Sequence, residues 1–365
     1  MQIHFLAPNA PQPWDWRDPP GGSETAVVQM SRRWAARGHD VTVYTNTLPD
    51  TRPHGLVSWL SLDQVDTAAP GLWIISRWPQ SLDRFRAGNP DQVRWLWCDD
   101  LDYRDRLTPE RAAKLDRVLA LSPCHRDHML DYYPWLEPVK ITVTRAGIQS
   151  DLIRGLPARD RDPFRLVWPS CPARGLDVFL GIFARAREFE PRLNLHVTYG
   201  WQNLDRVAEL DPTNGCAELK RRTLAQPQKN VVWHGRLSQR EMWEVCLGAN
   251  IWCYPTEFEE AGCVTAMEQQ ALGCIPIFPP IWALRESVQH GVRVRGEPYS
   301  DALCRTRYCR AILDLVANPE LCEQVRAEMV PWALYHFDWN QVIDDHEAYL
   351  SGSRRAAGPP RERVA

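Results

Sequence analysis

The sequence predicts an α/β fold of two doubly wound, Rossmann-like parallel-sheet domains facing one another across a cleft. Three observations carry that prediction. Short apolar strands alternate with helical or loop segments along most of the chain, the order that builds a parallel sheet with helices on both faces. The alternation forms two series of similar size, separated by a stretch rich in Gly, Pro and charge from Ile148 to Pro163. A length of 365 residues also suits two domains of ordinary size.

In the first series, residues 2–7 read as a strand. Pro8 to Pro20 is a proline-rich loop carrying Trp14 and Trp16. Gly21-Gly22-Ser23-Glu24 then opens a helix that runs to about Arg37, with Ser23 as N-cap and Gly38-His39 as stop. Val41-Thr42-Val43-Tyr44 is the next strand, and others are expected near 72–76, 93–98, 117–121 and 140–144. The second series places strands at 164–169, 193–198, 230–234, 250–254 and 274–278, most of them followed by a helical pattern. Residues 331–350 read as a last, aromatic-containing helix returning to the first half. From Ser351 the run Ser-Gly-Ser-Arg-Arg-Ala-Ala-Gly-Pro-Pro reads as a disordered tail. The expected divisions are therefore 1–147, 148–330, 331–350 and 351–365.

Composition narrows the function. With 44% hydrophobic and 24% charged residues the chain reads as soluble and globular, and its net charge of −3 gives no reason to expect nucleic acid as a partner. No apolar run approaches the roughly 20 residues of a spanning helix. The N-terminal Met1-Gln2-Ile3-His4-Phe5-Leu6 enters a strand directly, unlike a signal peptide. Eleven cysteines, an odd number with no Cys-x-x-Cys, fit reduced and mostly buried thiols, so a cytoplasmic setting is expected. Several of the 17 tryptophans fall in strand-like runs such as Val93-Arg94-Trp95-Leu96-Trp97, and core packing suits most of them better than ligand stacking.

The most informative stretch runs from Trp252 to Gly273. It reads as a buried strand, an acidic turn containing Glu257, Glu259 and Glu260, and an amphipathic helix closed by glycine. The first N–H groups of such a helix have no internal partners and form a seat for an anion. Glu268, one to two turns in, would repel a phosphate but can accept hydrogen bonds from hydroxyls such as those of a ribose. A phosphate seat beside a hydroxyl acceptor describes a nucleotide-sugar pocket. In open parallel sheets that pocket belongs beyond the carboxyl ends of the strands.

These residues resemble the retaining glycosyltransferases of the GT-B fold, specifically family 4, the glycosyl transferases group 1. That family's signature is a glutamate, seven residues, a second glutamate, then small residues and a glycine. Glu260 and Glu268 have that spacing here, with Gly262, Ala271 and Gly273 in place. Further blocks agree in order. Gly21-Gly22-Ser23-Glu24 looks like the N-terminal glycine loop, and Ser170-Cys171-Pro172-Ala173-Arg174-Gly175-Leu176-Asp177 like the block opening the second domain's first helix. His234-Gly235-Arg236-Leu237-Ser238 looks like the loop beside the nucleobase, and Phe337-Asp338-Trp339 like the start of the cross-over helix. The resemblance covers residues 3 to about 350. Three departures stand out: Pro169 where the family often has an arginine, with Arg174 replacing its lysine; Trp97 where it has a histidine; and Ala146-Gly147 for its Asn-Gly.

The resemblance implies a metal-independent hexosyltransferase with no cofactor, whose donor is a nucleoside diphosphate sugar. Arg174 would grip the diphosphate with a planar guanidinium fork, and the N–H groups of Cys263, Val264 and Thr265 would add dipoles to it. Gly22 and Gly262 would let backbone approach the donor, and Arg236 and Leu237 would lie beside the base. Glu268 would hold the ribose, and Glu260 would support the transferred sugar as the catalytic residue. Trp97 and Asp99 would line the acceptor or sugar side. The acceptor is open between a glycan, a lipid-linked molecule and a small molecule; a lipid-linked one would add peripheral membrane contact.

Other signals in the sequence compete with this reading. Asp100-Leu101-Asp102 after an apolar strand mimics the metal-binding pair of GT-A glycosyltransferases, and carboxylates two apart suit Mg²⁺ or Mn²⁺ beside a diphosphate. Such pairs arise by chance, as Asp160-Arg161-Asp162 illustrates. His125 and His128, three apart, read as helix-surface histidines and not metal ligands. The alternatives carried forward are a metal-dependent GT-A-like transferase, a nucleotide-sugar epimerase, and a non-catalytic nucleotide-sugar or glycan binder.

Overall fold

A computed structural model describes residues 1–8, 13–17, 21–47 and 51–352. Part of the Pro8–Pro20 loop, and the expected tail from residue 353 on, lie outside the described residues. The chain divides into two compact units, Met1–Gly147 with the segment from Phe337 onward, and Ile148–His336.

The first unit is built on seven parallel strands: β1 (Gln2–Leu6), β2 (Asp40–Thr45), β3 (Val57–Ser61), β4 (Gly71–Ser76), β5 (Gln92–Trp97), β6 (Arg117–Ala120) and β7 (Ile141–Val143), in the order β3-β2-β1-β4-β5-β6-β7. The strands are near-continuous runs of Val, Ile, Leu and Trp because both faces of the sheet are covered. One face packs Ile3, Phe5, Val41, Val43, Ile74, Trp95 and Trp97 against Trp34 of helix Gly22–Ala36 and Trp339 of helix Trp339–Leu350. The other packs Leu6, Trp73, Ile75, Leu96 and Val118 against Leu82, Phe85, Met129 and Tyr133.

The second unit has six parallel strands: β8 (Asp162–Trp168), β9 (Asn194–Val197), β10 (Val231–Trp233), β11 (Ala249–Cys253), β12 (Ile275–Phe278) and β13 (Val292–Arg293), in the order β10-β9-β8-β11-β12-β13. Leu166, Trp168, Phe179, Phe183, Ile251, Trp252 and Ile277 fill its core. In each unit the strand order reverses beside the first strand, between β1 and β4 and between β8 and β11. That reversal leaves a crevice at the carboxyl ends, where such sheets take ligands.

Several expectations need correction. The strands β3 and β13 were not anticipated, and the linker stretch 148–163 contains a helix, Ser150–Arg154, and the start of β8. Gly21, not Ser23, is the N-cap of helix Gly22–Ala36, and Ser23 is buried inside it. The single helix expected over 331–350 is two helices, Pro319–His336 and Trp339–Leu350. The break is local: the Asp338 side chain accepts the Asn340 N–H at 2.7 Å and so starts a new helix. Phe337 is buried just before it. The division between units therefore falls after His336 and not after residue 330. All eleven cysteines are free, nine of them buried. Among the described residues no helix is long and apolar enough to cross a membrane.

Candidate functional site

In the second unit, the loops after β8 and β11 flank the point where the strand order reverses. The loop after β8 makes a short turn, Pro172–Arg174, and then Gly175, which adopts φ +114. A Cβ on Gly175 would lie 2.6 Å from the Pro255 carbonyl oxygen. Only glycine satisfies both the left-handed backbone and that approach. The two loops are thus pressed together, and Arg174 is delivered to the loop that follows β11.

There the Arg174 guanidinium carbon lies 3.0 Å above the centre of the Phe258 ring. Its Nη1 is shut off from solvent and has no hydrogen-bond partner. Glu260 ends the same turn, with its carboxyl receiving the Tyr254 hydroxyl at 2.9 Å. Burial raises the Glu260 pKa above the ordinary carboxylate value, while Arg174 and the Tyr254 hydroxyl pull it back down. The backbone carries on through Gly262 and Cys263 into helix Val264–Ala271. The N-cap residue, Cys263, makes no side-chain capping hydrogen bond. A helix start and a guanidinium side by side can together take an anionic group.

Glu268 lies deeper on the same helix and is only 5% exposed. Its Oε1 accepts a hydrogen bond from Gln239 Nε2 at 2.8 Å, and the Trp243 indole N–H faces the same carboxyl without closing a hydrogen bond. Burial pushes its pKa up to about 7, with the Gln239 and Trp243 donors opposing. Gln239 begins helix Gln239–Leu247, which Ser238 caps in a reciprocal box with Glu241. That cap brings the loop of Arg236 and Leu237 to the neighbourhood of Glu268. Arg236 itself is exposed, with one long contact of 3.5 Å to Asn203 Oδ1. Asn203 in turn donates to the Tyr199 hydroxyl at 3.0 Å.

The first unit gathers a different set. Trp97 is fully buried, its ring packed against Trp339 and His346. The expectation that Trp97 lines the acceptor or sugar side is corrected to this extent: its ring is core, and it reaches the strand end only through its indole N–H, which donates to Asp99 Oδ1 at 2.9 Å. The other Asp99 oxygen is buried without a partner. Burial raises the Asp99 pKa to about 7; the indole and Arg77 lower it, and Asp100 and Glu24 raise it. Arg77, in left-handed backbone at φ +65, forks onto Asp100 at 2.8 and 2.9 Å. Asp102 instead faces His128 at 3.6 Å. The two carboxylates of the Asp100-x-Asp102 pair are thus directed to different side chains, Arg77 and His128.

His125 is not on the helix surface as expected. It is fully buried, its Nδ1 accepts the Leu121 N–H at 3.1 Å, and burial lowers its pKa to about 4. Gly22 faces open space: a Cβ there would meet nothing within 4 Å, whereas one on Gly21 would lie 2.9 Å from a Glu24 carboxylate oxygen. Any requirement for glycine at 22 must come from outside the described chain.

The second-unit residues Arg174, Glu260, Gly262, Cys263, Val264, Thr265 and Glu268 thus share one crevice edge and one helix, with Arg236 and Leu237 on the adjoining loop. Sequence reasoning missed Gln239, Tyr254, Phe258 and Trp243, and Arg77 in the first unit. A signal existed for Arg77, a charged residue directly after the apolar run Leu72-Trp73-Ile74-Ile75-Ser76. The others depend on loop geometry that no spacing announces.

Solved structures of the same arrangement exist. Sucrose-phosphate synthase from Thermosynechococcus elongatus superposes with a TM-score of 0.65 at 16% identity, covering 97% of this chain and 100% of that one. The Anabaena protein HepE, solved in complex with UDP-glucose, superposes at 0.67 with 12% identity, covering 96% and 100%. The fold is GT-B. Among curated proteins, α-maltose-1-phosphate synthase of Mycolicibacterium smegmatis is 22% identical to this GT-B chain over 244 residues. That match covers 63% of the chain and 61% of the synthase, less than two thirds of its length. No family model matches the sequence.

Proposed function

We propose that the chain is a retaining, metal-independent glycosyltransferase that moves a hexose from a nucleoside diphosphate sugar to an acceptor hydroxyl. The observation that carries the reading is the shared placement of Arg174, Glu260 and the start of helix Val264–Ala271 where the strand order reverses, with Glu268 buried on that same helix. The donor diphosphate lies against Arg174 and the helix N–H groups, its ribose hydroxyls on Glu268, its base by Arg236 and Leu237. HepE was solved with UDP-glucose, which makes UDP-glucose the first donor to test.

In the transfer, the bond from sugar C1 to the β-phosphate oxygen breaks as the acceptor oxygen bonds C1 on the same face. The acceptor proton passes to the departing phosphate. Arg174 and the helix dipoles stabilise the charge that grows on that phosphate, where preorganised donors act most strongly. Glu260, oriented by the Tyr254 hydroxyl, holds the sugar hydroxyls and offsets positive charge at C1. Asp99 in the first unit belongs to the acceptor side, and Gly22 to the donor.

Pro169, in place of a cationic residue, favours one second reading, a nucleotide-sugar binder without turnover. Calorimetric titration with UDP-glucose, paired with an assay for released UDP, separates them. Binding with UDP release that survives EDTA supports the proposed enzyme; binding without release supports the binder. Activity lost to EDTA and restored by Mn²⁺ overturns metal independence. Retention is read from the anomeric configuration of the product by NMR.

A further inference from the structure

Phe258 stands on an acidic turn between Glu257 and Glu259, and 43% of its surface is exposed. An aromatic ring in that setting contributes little to a core. One face is nevertheless covered at 3.0 Å by the Arg174 guanidinium. The turn is fixed on both sides of the ring: the Phe258 N–H donates to Thr256 Oγ1 at 3.0 Å, and the Glu260 N–H donates to the Phe258 carbonyl at 3.0 Å. Thr256 is itself buried. From the other side, the close approach of Gly175 to Pro255 fixes the base of the Arg174 side chain. Ring and guanidinium are therefore held together by backbone, not by chance meeting of two mobile side chains.

Glu260 lies near enough to act electrostatically on Arg174. A direct ion pair between them would neutralise the Arg174 cation. Among the described residues no such pair forms, and Arg174 Nη1 stays without a partner. A planar cation laid on an aromatic face keeps its charge, while the N–H groups on the edge that is not covered, those of Nε and Nη2 here, remain free for an anion. Pro169 offers no second cation to share the task.

Resting on the functional reading above, we infer that Phe258 is a positioning residue for the donor diphosphate: its ring holds Arg174 flat and away from Glu260, so that the guanidinium edge meets the phosphates. Loss of the ring lets Arg174 collapse onto Glu260. The loss then falls on the diphosphate part of the ligand and leaves the nucleoside part untouched.

The test measures dissociation constants for whichever of UDP, GDP and ADP the wild-type chain binds, and for the matching nucleoside by competition. The variants are Phe258→Ala, Phe258→Leu and Phe258→Tyr, each with its thermal midpoint. Phe258→Ala and Phe258→Leu are expected to weaken the diphosphate by about tenfold, with nucleoside affinity and thermal midpoint unchanged. Phe258→Tyr, which keeps an aromatic face, is expected to restore diphosphate affinity. Equal weakening of nucleoside and diphosphate, or a leucine as good as phenylalanine, overturns the inference while leaving the nucleotide site intact. A wild-type chain that binds none of the three diphosphates overturns the functional reading and this inference with it.

Discussion

Glu268→Gln is the change whose outcome the structure specifies most fully. The carboxyl is buried and its pKa is raised from 4.5 to about 7, which at 1.36 kcal/mol per pH unit is about 3 kcal/mol. The sign follows from proton counting. Between pH 4.5 and 7 the folded chain keeps a proton that the unfolded chain releases, so stability falls as pH rises through that window. Above it the full cost of a buried carboxylate is present; below it the cost vanishes. Glutamine cannot ionise, and its oxygen still accepts the Gln239 amide. Glu268→Gln is therefore expected to be more stable than wild type by up to about 3 kcal/mol at pH 8, a gain of about 5–10 °C in the midpoint. At pH 4.5 the two should coincide. Thermal unfolding followed by circular dichroism at both pH values reads the difference. An offset equal at pH 4.5 and pH 8 would refute the buried-carboxylate reasoning. The same residue predicts a ligand effect. Ribose hydroxyls donating to the carboxylate favour its charged form, so UDP binding near pH 6.5 should release protons, seen as a buffer-dependent binding enthalpy. At pH 8, Glu268→Gln should bind UDP about 10- to 150-fold more weakly, the worth of hydrogen bonds to a charged acceptor.

Four further outcomes are expected. Glu260→Ala should lower turnover by about 100-fold with UDP affinity little changed, and Tyr254→Phe should do the same more mildly; equal losses in binding and turnover would count against the assigned role. Gly175→Ala forces a Cβ against the Pro255 carbonyl at φ +114 and should cost at least about 2 kcal/mol in chemical denaturation. Trp97→Phe removes the indole donor to the Asp99 carboxyl, which should raise the acceptor KM while UDP affinity stays constant. Its Asp99, already at about 7, should titrate higher, moving any acid limb of the pH–rate profile upward.

Much of the architecture is legible in the sequence because parallel strands buried on both faces are written as plain apolar runs. Val41–Tyr44, Trp252–Tyr254 and Ile275–Phe278 are of that kind. β3 escaped because Val57-Ser58-Trp59-Leu60-Ser61 is an edge strand with mixed polarity, and β13 because it is two residues long. The division after His336 escaped because Pro331 marks no break: it lies inside helix Pro319–His336, which ends five residues later, just before Asp338 starts a new one. Within the site, Glu260, Glu268 and Arg174 were readable from spacing. Spacing does not say what faces a side chain. Trp97 was assigned to the ligand side, yet its ring belongs to the core and only its N–H reaches the strand end. His125 was placed on a surface for want of any sequence mark that helix Pro123–Tyr132 turns it inward. Phe258, one aromatic among glutamates, gives no hint that an arginine 84 positions earlier lies on it.

A crystal structure of the chain with UDP tests the central claim most directly. The account predicts the diphosphate within hydrogen-bonding distance of the Arg174 guanidinium and the Val264 and Thr265 N–H groups, with the ribose hydroxyls on Glu268. An ordered UDP bound elsewhere on the second unit, or one whose phosphates lie away from Arg174 and that helix start, would contradict it.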